Sequence, residues 1–120
     1  MPTVPLFAIL ACAGALGATN LAFRLRGKRK ENWLTLHLLF GIGALAMVVF
    51  LLKDFNGGEG VSAGAYGNIA AGLLALAVFI GLVSPIVAKD SRALSNILLV
   101  AHIASGLSGV LTAAFWISSF

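Results

Sequence analysis

The chain has 120 residues, of which 60% are hydrophobic and 10% charged, with a formal net charge of +4. Soluble domains usually carry about a quarter of their residues as charges, so this composition argues against a water-soluble fold. The positive balance does not point to nucleic acid either, because seven of the eight basic residues fall in two short segments between apolar runs.

A membrane-crossing helix needs roughly 20 mainly apolar residues at 1.5 Å each. Four segments qualify, at about 6–23, 33–52, 68–87 and 94–117, the third closed by Ser84-Pro85. The expectation is an all-α chain, residues 1–120 forming a single transmembrane domain built as a four-transmembrane-helix bundle. Cys12, the one cysteine, lies in the first span and has no intramolecular disulfide partner. Ile9-Leu10-Ala11-Cys12 loosely resembles a lipoprotein cleavage site, but residues 1–7 carry no basic side chain, whereas a signal peptide opens on a positive region. Cleavage and lipidation are therefore not expected.

Orientation follows from Lys and Arg in short loops. The first loop holds Arg24, Arg26, Lys28, Arg29 and Lys30, and the third holds Lys89 and Arg92. The second has Lys53 beside Asp54 and Glu59. This asymmetry expects loops 1–2 and 3–4 in the cytoplasm and both termini outside. Trp33 would mark the cytoplasmic interface, with Tyr66 and Trp116 near the outer one. The glycine-rich stretch from Asn56 to Gly64 reads as a flexible connection. Small residues at helical spacing, Ala11, Gly14, Ala15 and Ala18 in the first span and Gly67, Ala71 and Ala75 in the third, read as surfaces that pack the bundle.

No Asp, Glu, Lys or Arg lies well inside a span. That weakens proton-coupled transport and most acid–base catalysis, which need membrane carboxylates. Two histidines remain as the outstanding polar groups, His37 and His102. Spans two and four both run outward from the cytoplasm, and the histidines lie roughly 6 and 12 Å inside the cytoplasmic edge at 1.5 Å per residue. Each stands on a face of small residues: Gly41 and Ala44 follow His37, and Gly106 and Gly109 follow His102. Such faces leave room for a flat porphyrin beside its axial imidazoles. Arg24, Arg26, Lys28, Lys89 and Arg92 would be in reach of propionates, although topology alone explains them. Hydrogen-bonded packing, with a histidine tied to a carbonyl or to Ser105, is the competing reading. A faint echo between the two halves, each an apolar span, a basic loop and a span with histidine then small residues, suggests a tandem hairpin.

With His37-x3-Gly41 and His102-x3-Gly106 on parallel spans, the chain resembles small membrane b-type cytochromes, namely bis-histidine four-helix cytochromes and the cytochrome b-like anchor subunits of quinone oxidoreductases. The resemblance covers mainly the second and fourth spans. It implies one haem b ligated by His37 and His102, with Gly41, Ala44, Gly106 and Gly109 shaping the pocket and Arg24, Arg26 and Arg92 near the propionates. The function implied is an electron-transfer subunit near the cytoplasmic face rather than a stand-alone enzyme, working with a quinone or a partner subunit. The lipid bilayer of a bacterial inner membrane, or an equivalent energy-transducing membrane, would be its host, with partner membrane subunits or as a homo-oligomer. The alternative is a non-catalytic accessory subunit of a larger membrane complex, with no cofactor or with a chlorophyll-type tetrapyrrole on single histidines. A channel or carrier ranks third.

Overall fold

In the computed structural model, which describes residues 3–55 and 61–119, the chain is all-helical. Its four helices are α1 (Thr3–Leu25), α2 (Glu31–Phe55), α3 (Val61–Val87) and α4 (Arg92–Ser118). Each contains a stretch long and apolar enough to cross a membrane, running Val4–Leu25, Glu31–Lys53, Ala65–Val87 and Arg92–Ser118. All four helices begin before the segments expected from hydropathy. Polar or small residues such as Glu31, Asn32 and Ser62 dilute the hydropathy at a helix end while still adopting helical backbone. Four of the nine residues expected to form a flexible connection, 61–64, are helical, and Asn56–Gly60 lie outside the described residues.

The chain divides into two compact units, Met1–Met47 and Val48–Phe120. Within the first, α1 closes with a glycine turn. Gly27 adopts φ +71°, the left-handed conformation that other L residues avoid. The Lys28 amide donates to the Phe23 carbonyl (2.8 Å) and the Gly27 amide to that of Arg24 (3.0 Å). These two bonds satisfy carbonyls that the helix end leaves without intrahelical donors. The chain then re-enters α2, where the Asn20 side-chain amide donates to the Trp33 carbonyl at 3.2 Å. Phe23 and Trp33 meet with ring centroids 6.5 Å apart. Lys30 Nζ lies 5.1 Å from the Phe23 ring centroid, placing a cation over an aromatic face.

In the second unit, Ser91 caps α4 by accepting from the Leu94 amide at 3.1 Å. α3 does not stop at Ser84-Pro85: the helix runs through Pro85 to Val87. Proline takes away the donor that would reach the Gly81 carbonyl, but the Ala88 amide still bonds the Ser84 carbonyl at 3.0 Å. Near the far end, Trp116 is 1% exposed. An ideal Cβ on Gly67 would lie 2.5 Å from Leu52 Cδ2 and 2.7 Å from Trp116 Cε2. The Trp116 indole fills the space that Gly67 leaves. Tyr66 is exposed and meets Phe115 edge-on at 5.2 Å.

The small-residue reading of α1 is also corrected. Ala11, Gly14, Ala15 and Ala18 are all exposed, while α1 buries Leu6, Leu10 and Ala13. Helical spacing places residues on a common face but leaves open which face turns inward, and in α1 the bulkier leucines do. In α3, Gly67 is buried, Ala71 half-buried and Ala75 exposed. Large apolar side chains such as Leu39, Phe50, Phe79, Val100 and Leu111 are also exposed. In water such a surface would be an extreme apolar patch; against lipid tails it is the ordinary exterior of a membrane helix.

Burial repeats along the chain. Moving 64 residues on from buried Leu6, Leu10 and Ala13 reaches Ala70, Leu74 and Ala77, all buried. Moving 65 on from buried Ala44, Val48, Leu51 and Leu52 reaches Gly109, Ala113, Trp116 and Ile117, again all buried. The faint echo in the sequence is thus a match of most inward positions, α1 with α3 and α2 with α4, although buried Ser105 falls against half-buried Phe40.

Candidate functional site

The two histidines occupy equivalent places in this repeat, and each is bonded across to the preceding helix. His37 Nδ1 lies 2.9 Å from the Ala13 carbonyl oxygen in the first unit. His102 Nδ1 lies 2.7 Å from the Ala77 carbonyl oxygen in the second. A carbonyl can only accept, so Nδ1 must carry the proton in both rings. In the neutral imidazole this fixes the lone pair on Nε2. Both histidines are half-buried.

A glycine lies under each ring. A Cβ built on Gly17 would stand 3.0 Å from His37 Cε1 and 3.5 Å from its Nδ1. On Gly81 it would stand 3.1 Å from His102 Cε1 and 3.3 Å from its Nδ1. Each glycine follows the accepting alanine by four residues, Ala13-x3-Gly17 and Ala77-x3-Gly81. In an α-helix the carbonyl of residue i points at the amide of residue i+4. A side chain at i+4 therefore crowds the approach to that carbonyl, and glycine opens it. These four residues were missed in the sequence, where alanine and glycine in an apolar run read as generic packing. The signal was the shared Ala-x3-Gly, its alanine 24 residues before His37 in one half and 25 before His102 in the other.

No family model, curated protein or solved structure matches this chain.

The remaining candidates divide by what they touch. A Cβ on Gly41 would meet nothing within 4 Å, and one on Gly106 would touch only the Ala77 Cβ at 3.7 Å. Gly109 is different: a Cβ there would lie 3.0 Å from the Leu74 side chain and 3.1 Å from the Leu74 backbone nitrogen. Its smallness lets α3 and α4 approach. Ala44 is 1% exposed. Arg24, Arg26 and Arg92 are exposed at the helix ends that the short turns connect. Arg29 pairs with Glu31 at 3.3 Å on the exposed surface. The buried Ser105 hydroxyl lies 2.8 Å from the Ala101 carbonyl and 3.2 Å from that of His102, both on its own helix. It is the Ala77 carbonyl, rather than Ser105, that engages the His102 ring nitrogen Nδ1.

Among the described residues, no three or more His, Cys, Asp or Glu side chains converge into a metal-holding group. A hollow lined by Lys30, Glu31, Asn32 and Trp33 sits at the start of α2, before His37. What the histidines offer is two half-buried imidazoles, each bonded through Nδ1 to a carbonyl of the preceding helix.

Proposed function

We propose that this protein is a membrane-embedded haem-b-binding electron-transfer subunit, with His37 and His102 as the axial ligands of one haem. The observation that supports this is the twin Nδ1–carbonyl bond. Metal-ligating histidines characteristically donate their other ring N–H to a carbonyl or carboxylate, which fixes the tautomer and raises the basicity of the ligating nitrogen. Two such rings meet the two axial needs of a porphyrin iron, whose four other ligands the macrocycle supplies. Bound haem would supply a one-electron redox couple. Gly41 leaves open space one turn beyond its histidine, and Gly106 limits contact to a single alanine methyl. The basic ends at Arg24, Arg26 and Arg92 offer partners for propionates.

The protein's own contribution is to aim both imidazoles through their Nδ1 bonds and to keep them in an apolar surround. The positive loops lie in the cytoplasm and both termini outside, in a bacterial inner membrane or an equivalent energy-transducing membrane. The electron partner is a quinone or an adjoining subunit. A second reading, an accessory subunit whose histidines tie helices together, is favoured by the same two bonds, since each already joins two helices.

The visible spectrum of the detergent-purified protein from haem-replete cells separates these. The haem reading expects sharp low-spin bands on dithionite reduction, lost in His37→Ala and in His102→Ala. A colourless, folded protein would leave the accessory reading standing, and red-region absorption would indicate a chlorophyll-type pigment.

A further inference from the structure

The Ala-x3-Gly pairs do more than let helices approach. We infer that Gly17 and Gly81 are positioning residues that open the Ala13 and Ala77 carbonyls to His37 and His102 and so fix each ring as the Nδ1–H tautomer, with its lone pair on Nε2.

The argument is stereochemical. The Ala13 carbonyl already accepts along its own helix from the amide four residues on, which is that of Gly17. It has a second lone pair, and the imidazole takes it at 2.9 Å. To do so the ring must lie against the backbone of residue 17, where a methyl would stand 3.0 Å from Cε1. That is roughly half an ångström inside ordinary carbon–carbon contact, so the ring would have to retreat and the Nδ1 bond would stretch. The second hairpin repeats the arrangement with Gly81, Ala77 and His102, at 3.1 and 2.7 Å for the same two distances. Other glycines are not so placed. A Cβ on Gly14 or Gly72, on the same two helices, would meet nothing within 4 Å.

The same arrangement in both halves of the repeat, with Nδ1 rather than Nε2 on the carbonyl each time, argues that the glycine secures the ring's tautomer as well as its packing. A merely space-filling histidine has no use for a particular nitrogen. The bearing of this device on ligation rests on the haem reading; the tautomer itself does not.

The test uses the full chain in detergent without haem. Because the protein has two histidines, 15N-histidine labelling gives two imidazole patterns, assigned by His37→Ala and His102→Ala. Long-range nitrogen–proton correlation at mildly alkaline pH should show both rings protonated at Nδ1. Gly17→Ala should shift His37 alone toward the Nε2–H form, and Gly81→Ala should shift His102 alone. Gly14→Ala and Gly72→Ala should move neither. Nε2-protonated rings in the wild type, or rings indifferent to both alanines in folded protein, would overturn the proposal. Where one alanine variant fails to fold, the other tests the same role in its own hairpin, and Nε2-protonated rings in the wild type still overturn the proposal. Haem addition then reads the other claim separately: the stated tautomers with no haem uptake would sustain the positioning role and refute the cofactor. With uptake, Gly17→Ala should weaken the low-spin bands where Gly14→Ala does not.

Discussion

Gly67→Ala probes the packing of the second unit at the point where it is tightest. The added methyl would lie 2.5 Å from Leu52 Cδ2 and 2.7 and 2.8 Å from two indole carbons of Trp116. Carbon pairs settle at roughly 3.5–4.0 Å, so the overlap is about an ångström on two sides at once. Leu52 can rotate, but Trp116 is 1% exposed and large, with little room to move. Forcing a methyl into a packed site costs about 1–3 kcal/mol. Against this, alanine is a better helix former than glycine by roughly 1 kcal/mol. Gly72→Ala isolates that gain, since its methyl would meet nothing. The assay is reversible unfolding in mixed micelles with rising SDS fraction, followed by helical circular dichroism. Gly67→Ala should unfold earlier than wild type and Gly72→Ala no earlier. Trp116→Ala in the Gly67→Ala background should cost less than in the wild type, because the two sites share a contact. A Gly67→Ala protein as stable as Gly72→Ala would refute the packing described.

Gly109→Ala should be harder to accommodate than most, because its methyl meets the Leu74 backbone nitrogen at 3.1 Å as well as the side chain; a loss of about 1–3 kcal/mol is expected in the same SDS titration. Gly27→Ala places a Cβ in left-handed backbone at φ +71° and should cost about 1–2 kcal/mol, read in that assay. Arg29→Ala should change stability by less than about 1 kcal/mol, since its pair with Glu31 is exposed on both sides. Neutralising Arg24, Arg26, Lys28, Arg29 and Lys30 together should produce mixed or inverted topology, seen by labelling single cysteines placed in the loops of a Cys12→Ala background with a membrane-impermeant thiol reagent.

The spans were legible because hydrocarbon demands long apolar runs, and nothing else in the chain supplies them. Their ends were not: Glu31 and Asn32 belong to α2 and residues 61–67 to α3, yet their side chains resemble those of loops. The histidines stood out because polar groups at membrane depth are costly. Which face of a helix turns inward was hidden, because lipid and protein interior have the same polarity. Hence the small residues of α1 read as a packing surface although they are exposed. Gly17 and Gly81 escaped notice for a different reason. Their meaning lies in a carbonyl four residues earlier and a ring on another helix, a relation that only the folded hairpin displays. The repeat was faint in the sequence because its matched positions hold different residues, Leu51 against Trp116 or Leu6 against Ala70. It is a repeat of burial rather than of identity.

The haem content of the purified chain tests the central claim most directly. Protein purified from haem-replete cells should contain one haem b per 120-residue chain by pyridine haemochrome assay, in a low-spin ferric state by electron paramagnetic resonance. Folded protein without haem would contradict the account, and half a haem per chain would contradict the assignment of both axial ligands to one molecule.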